Sequence, residues 1–258
     1  MHSLTEAKLH LPQVTHPRNP GMPLDLDWVA NVQANTSAIE RRAATITSRR
    51  SVKNDFQAAW LLKAISLIDL TTLSGDDTPE RVKRLCAKAR QPVAPAMLEK
   101  LGLQGLTTGA VCVYHEMVET AVRALEGSNI PVAAVSTGFP AGLSPYRLRI
   151  AEIGESVRAG AREIDIVISR RHVLTGNWHA LYEEMSEMRA ACGEAHVKAI
   201  LATGELQTLR NVARASLVCM MAGADFIKTS TGKVAPAATP PVVLVMLEAV
   251  RDFYAMTN

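Results

Sequence analysis

The sequence is poor in the features that usually betray a function early. It holds four cysteines, Cys86, Cys112, Cys192 and Cys219, and no two of them form a C-x-x-C pair. A zinc knuckle and a dithiol redox motif are therefore unsupported. His115, His172, His179 and His196 also lack metal-ligand spacing, so no metal and no cofactor is expected. No G-x-G-x-x-G occurs, which removes the phosphate turn of a dinucleotide-binding fold. The longest aliphatic run, residues 242–247, is far short of the roughly 20 residues a membrane span needs. No apolar h-region opens the chain, so the expectation is reduced thiols in the cytoplasm. A net charge of +3 is too mild to argue for nucleic acid or a membrane surface, though it slightly favours an anionic substrate.

What is present is an alternation. With 258 residues, 48% of them hydrophobic and 21% charged, the chain can bury a large core. Residues 1–25 carry prolines at 12, 17, 20 and 23 without periodicity and read as a flexible tail. Residues 26–63 read as a helical N-terminal extension. From residue 64 to 258, β-type runs at 65–70, 110–114, 131–136, 163–169, 196–202 and 225–230 alternate with helical segments. Those segments are 79–90, 117–127, 146–160, 177–192, 206–222 and 240–256. Such alternation means βαβ units and a parallel sheet. A doubly wound sheet and a (β/α)8 barrel both fit it.

The strand interiors decide between them. In 163–169, Ile164, Ile166 and Ile168 share one face and Asp165 lies on the other. Lys198 and Lys228 occupy equivalent places in the next two runs. If the isoleucine face packs on helices, Asp165, Lys198 and Lys228 face a common interior, as in a barrel active site.

The segment 225–233 carries the chemistry. Lys228 sits in an apolar run, and Thr231, Gly232 and Lys233 form a turn just beyond it. Desolvation and a neighbouring cation such as Lys198 would lower the Lys228 pKa and yield an amine nucleophilic toward carbonyls. The alternative for a single lysine is a strand-end side chain that snorkels to water. Asp165 suits general acid/base work or a buried ion pair with either lysine. Asp69 either orients a lysine or binds a substrate hydroxyl, or else it caps the turn before residues 74–77. Cys112 reads as an inert small hydrophobe that lines the pocket. Hydroxyls, backbone N–H groups and Lys233 in the turn suit a phosphate. Echoes of a P-loop and of S-x-x-K at this turn fail on context: the first glycine and an S-D-N partner are missing.

These residues resemble deoxyribose-phosphate aldolase, in its longer animal-type form, from about residue 26 to 257. The blocks that carry the likeness are FIKTSTGK at 226–233, IDLTTL at 68–73, AILATGEL at 199–206, EIDIV at 163–167 and Gly138-Phe139-Pro140. The resemblance implies a metal-free class I aldolase of TIM-barrel type. Its reaction would be reversible cleavage of 2-deoxy-D-ribose 5-phosphate to glyceraldehyde 3-phosphate and acetaldehyde. Lys228 matches the Schiff-base lysine and Asp165 the proton shuttle. Asp69, Thr71, Cys112 and Lys198 match pocket residues, and Thr231, Gly232 and Lys233 match part of the phosphate turn. His115 departs from the family, which usually has proline there. The family pattern also continues with a GFKPAGG-type strand and an eighth strand, and this sequence stops at Asn258 before either. The expectation is thus about six βα units, open strand edges and impaired catalysis, unless oligomerisation replaces the lost strands. The alternative is a catalytically impaired remnant acting at most as a binding or interaction partner.

Overall fold

Residues 17–49 and 51–257 are described in a computed structural model of the chain. Three helices come first: α1 (Leu26–Asn31), α2 (Thr36–Arg49) and α3 (Asn54–Ile65). Strand β1 (Asp69–Thr71) follows, then α4 (Pro79–Arg90), α5 (Pro95–Lys100), β2 (Ala110–Tyr114), α6 (Val118–Ala124) and β3 (Val132–Ser136). Next come α7 (Tyr146–Arg158), β4 (Glu163–Val167), α8 (Arg170–Leu174), α9 (Trp178–Ala191) and β5 (His196–Ile200). The described chain closes with α10 (Leu209–Met221), β6 (Phe226–Lys228) and α11 (Pro240–Thr257). All six strands are parallel and lie in sequential order β1-β2-β3-β4-β5-β6.

Local chemistry sets the helix starts. The Thr78 hydroxyl accepts from Arg81 N at 3.3 Å, and Pro79 pre-sets the first turn of α4. Asn177 Oδ1 accepts from Ala180 N at 3.1 Å, and Thr208 Oγ1 from Asn211 N at 3.1 Å. These caps open α9 and α10 one and three residues later than the apolar pattern suggests. The pattern also misses α5 and α8, whose one to two turns are too short to show a period. The first β-type run is the largest difference. Backbone N–H groups of Ser66, Leu67 and Ile68 bond back to Leu62, Ala64 and Ile65, so helical turns persist to residue 68. Pairing with β2 begins only at Asp69, opposite Ala110.

Of the tail expected over residues 1–25, residues 1–16 lie outside the described residues. Residues 17–25 are docked rather than free. Asn19 Nδ2 donates to Met220 O at 2.8 Å and Ala224 O at 3.0 Å, and its backbone N–H donates to Asp225 Oδ1 at 2.6 Å. Proline breaks the periodicity there, but backbone partners at the end of α10 hold the segment down.

The sheet is rolled. In a flat sheet, side chains on β1 and β5 would start about 19 Å apart, four strand spacings of about 4.8 Å. Yet Lys198 on β5 bonds Asp69 on β1, and Lys233 beyond β6 bonds Leu73 O beyond β1. Among the described residues β1 and β6 do not pair with each other, so the sheet is an open half-barrel of the TIM-barrel type. The outer face carries the core. Val111, Val113, Val132, Ala134, Ile164, Ile166, Val197 and Ala199 are buried in one cluster with the helices. Each fully buried isoleucine contributes about 1.5–3 kcal/mol. The inner face has only a small apolar cluster, Cys112, Ala133 and Val135, beside Leu73, Tyr114 and Phe139. That face also carries the charged Glu163, Asp165, Lys198 and Lys228, with Val167 and Ile200 among them. Among the described residues no helix is long and apolar enough to cross a membrane.

Candidate active site

Strand alternation delivers the inner polar groups. Asp165 on β4 lies opposite Lys198 on β5, and Ile200 lies opposite Lys228 on β6. Lys228 Nζ donates to Asp165 Oδ2 at 2.6 Å. The Asp165 side chain is fully buried, whereas that of Lys228 is 32% exposed, so the amine is the member of the pair that solvent and substrate can reach. Lys198 is buried. Its Nζ bonds Asp69 Oδ2, lies 2.5 Å from Glu163 Oε2, and stands 3.7 Å from Asp165 Oδ1. Two ammonium groups thus meet three carboxylates from β1 and β4.

This arrangement reverses one expectation. Burial pulls the Lys228 pKa down, but the Asp165 charge and hydrogen bond outweigh it, and the net shift is upward. Lys198 gives little help in the other direction, because its own charge is absorbed by its carboxylates. Burial opposes the Lys198 ammonium too, and Asp165, Glu163 and Asp69 together raise it. Lys228 therefore rests as an ammonium. Asp165 accepts the hydrogen bond through which a proton can pass. Burial pushes the Cys112 thiol up to about 12, which keeps it an inert wall of the trough.

The other residues expected at the site fall into two groups. Asp69 orients a lysine. The turn at 74–77 is instead held by Asp77, which accepts from Thr72 Oγ1 at 2.8 Å and from Ser74 N at 2.9 Å. Thr71 is exposed on edge strand β1, and its hydroxyl donates to Asp69 O at 2.7 Å. Thr231, Gly232 and Lys233 lie in the turn after β6, on the rim of the trough. Lys233 Nζ donates to Leu73 O at 2.5 Å and ties this turn to the loop after β1. Gly232 has φ +75°, which glycine adopts without strain. Gly204 matters for a different reason: a Cβ there would stand 2.5 Å from Pro236 O, so the loops after β5 and β6 can close only over glycine. Glu163 was not foreseen as a site residue. Its signal was present, since it lies two residues before Asp165 and shares its face.

A cavity of about 240 Å³ lies elsewhere, between α1, α10 and α11, lined by Trp28, Val32, Leu217 and Ala249. It does not coincide with the charge cluster, whose trough is open rather than enclosed. Chemistry of the side chains, and not cavity size, marks the site.

Comparison with known proteins agrees with the geometry. Over 242 residues the chain is 58% identical to the deoxyribose-phosphate aldolase of Mus musculus, a match covering 92% of this chain and 76% of that protein. The Homo sapiens deoxyribose-phosphate aldolase is 56% identical over 244 residues, covering 93% and 77%. A tetrameric deoxyribose phosphate aldolase from Aeropyrum pernix shares the fold, with a TM-score of 0.59 at 24% identity over 74% of each chain. The pattern shared by DeoC/LacD family aldolases matches residues 63–255, and the chain belongs to that family.

Proposed function

We propose that this chain is a deoxyribose-phosphate aldolase that cleaves 2-deoxy-D-ribose 5-phosphate reversibly through a Schiff base on Lys228. Membership of the aldolase family and the identity to mammalian aldolases support the reaction. The observation that carries the mechanism is the hydrogen bond between partly exposed Lys228 and fully buried Asp165, with Lys198 beside them.

In this reading Lys228 gives up its proton and its amine adds to C1 of the open-chain sugar. Loss of water from the carbinolamine leaves an iminium ion. Asp165 then takes the proton of the C3 hydroxyl, the C2–C3 bond breaks, and its electrons flow to the iminium nitrogen. Glyceraldehyde 3-phosphate leaves, and an enamine stays on Lys228. Protonation of the enamine carbon by Asp165 and addition of water release acetaldehyde and restore the amine. No metal enters these steps. Thr231, Gly232 and Lys233 on the rim would receive the phosphate, with Asp69, Thr71, Cys112 and Lys198 forming the trough around the sugar. Residues 26–63 form a helical appendage to this aldolase domain, and the chain acts as one subunit of a homo-oligomer in deoxyribonucleotide breakdown. Four buried, unpaired cysteines suit the reducing cytoplasm.

Borohydride reduction in the presence of acetaldehyde tests the reading. A single ethyl group on Lys228, located by peptide mass, is the expected result. An adduct that persists in Lys228→Leu would overturn the assignment.

A further inference from the structure

Lys198 meets three carboxylates, and one of them, Glu163, has no part in the steps above. Glu163 opens β4 two residues before Asp165, so alternation puts both on the inner face. Its side chain is 14% exposed, and its Oε2 lies 2.5 Å from Lys198 Nζ. That contact is a close ion pair between a buried carboxylate oxygen and the ammonium. Asp69 pulls the same ammonium from across the trough, while Asp165 Oδ1 stands off at 3.7 Å and accepts no hydrogen bond.

We propose that Glu163 is a positioning residue for the aldol step: with Asp69 it holds the Lys198 ammonium off Asp165, leaving one Asp165 oxygen on Lys228 and the other open to the reacting group. The inference rests on the assignment of Lys228 and Asp165 made above. Its physical basis is a competition among carboxylates for one ammonium. The charged and titratable groups around it are Asp69 on β1, Cys112 on β2, Asp165 on β4, Lys198 with His196 on β5, and Lys228 on β6. Neutralising Glu163 leaves Lys198 two anionic partners, Asp69 and Asp165. The ammonium then closes on Asp165 Oδ1, and a carboxylate bonded to two cations is a weaker base. Burial already raises the Glu163 carboxyl pKa against the pull of Lys198, so keeping this charge has a cost that packing does not explain.

The test separates adduct formation from proton transfer. In D2O, Asp165 removes a methyl proton from the acetaldehyde iminium on Lys228. The C–H electrons form the enamine double bond, and a deuteron returns to the same carbon. Methyl deuteration of acetaldehyde reads this step, and borohydride trapping reads the adduct. Glu163→Gln is expected to slow deuteration about tenfold, while trapping falls less than about twofold. In a Lys198→Met background the same substitution should change deuteration by less than about twofold, because its partner is gone. Equal losses in both backgrounds, or no loss in the first, overturn the proposal. Should the glutamine variant fail to fold, Glu163→Asp carries the same cycle. The charge retreats by one methylene, an about threefold slowing is expected, and no slowing overturns the proposal. If the parent chain forms no adduct on Lys228, the site assignment falls before any Glu163 variant is made, and this inference falls with it.

Discussion

Among the described residues two clusters of charge are buried, one on each side of the sheet, and they are built differently. On the helix side Arg149 of α7 pairs with Glu184 of α9 at 2.7 Å, with side chains only 4% and 5% exposed. Glu184 also accepts from Ser169 Oγ at 2.6 Å and from Ser169 N at 3.0 Å, and Arg149 Nη1 donates to Ser169 Oγ at 3.1 Å. One cation faces one anion, and both Glu184 oxygens are satisfied. In the trough, two ammonium groups face three carboxylates, and Asp165 Oδ1 makes no hydrogen bond. The Glu184 carboxylate has no free oxygen left to offer a substrate, although Arg149 Nε makes no hydrogen bond. The trough keeps one acceptor, Asp165 Oδ1, in reserve, at an electrostatic cost that a purely structural pair would shed.

Breaking each cluster should therefore produce opposite losses. Lys228→Leu is expected to abolish trapping and turnover, since no other lysine in the trough is both exposed and aimed at Asp165. It also leaves Asp165 buried with Lys198 at 3.7 Å as its remaining cation, so some stability is lost as well. Asp165→Asn should lower turnover about 10²–10⁴-fold while the Lys228 adduct can still be trapped. Steady-state rates beside borohydride labelling would check both, and loss of the adduct in Asp165→Asn would refute the division of roles. Glu184→Ala strands a buried guanidinium and should cost about 3–5 kcal/mol in urea unfolding. Its activity per folded molecule should stay near that of the parent. A Glu184→Ala chain of normal stability would mean that the two clusters do not differ as described.

The sequence made the trough legible because period-two alternation needs no tertiary information. Asp165, between Ile164 and Ile166, could only face away from the core those isoleucines build. Lys198 and Lys228 followed from the same parity. What alternation cannot supply is reach across the roll of the sheet. Asp69 could cap a local turn or meet a lysine four strands away, and only the curvature that brings β1 to β5 decides it. The sign of the Lys228 shift was hidden for the same reason. Two lysines read along the chain look like mutual repulsion, but the geometry gives each its own carboxylates. Glu163 went unassigned because a strand's first residue reads equally well as a solvent-facing end. At Ile65–Ile68 the apolar run simply continues the last turn of α3, and hydrophobicity does not distinguish that from a strand start.

The smallest expected effect concerns pH, and it separates chemistry from stability within one titration. The raised Lys228 pKa means that below it the free amine grows about tenfold per pH unit, so trapping by acetaldehyde should rise about tenfold between pH 7 and 8. Stability should barely change over that interval, by less than about 0.5 kcal/mol. The trough lysines have folded pKa values raised above their unfolded ones, so their contribution is complete below the unfolded lysine pKa of about 10.4 and is lost only as pH climbs through the folded values. The first alkaline loss should come from the buried thiols. Burial raises Cys86, Cys112, Cys192 and Cys219 alike, so their stabilisation is present below the unfolded cysteine pKa of about 8.5 and falls away above it. Urea midpoints from pH 7 to 9.5 should stay level and then bend downward near pH 8.5. Cys219→Ala, which removes a fully buried thiol far from the trough, should soften that bend by about one proton's slope and leave the trapping profile where it was. A trapping rate that follows the stability curve instead would mean that pH acts through the fold and not through the Lys228 proton.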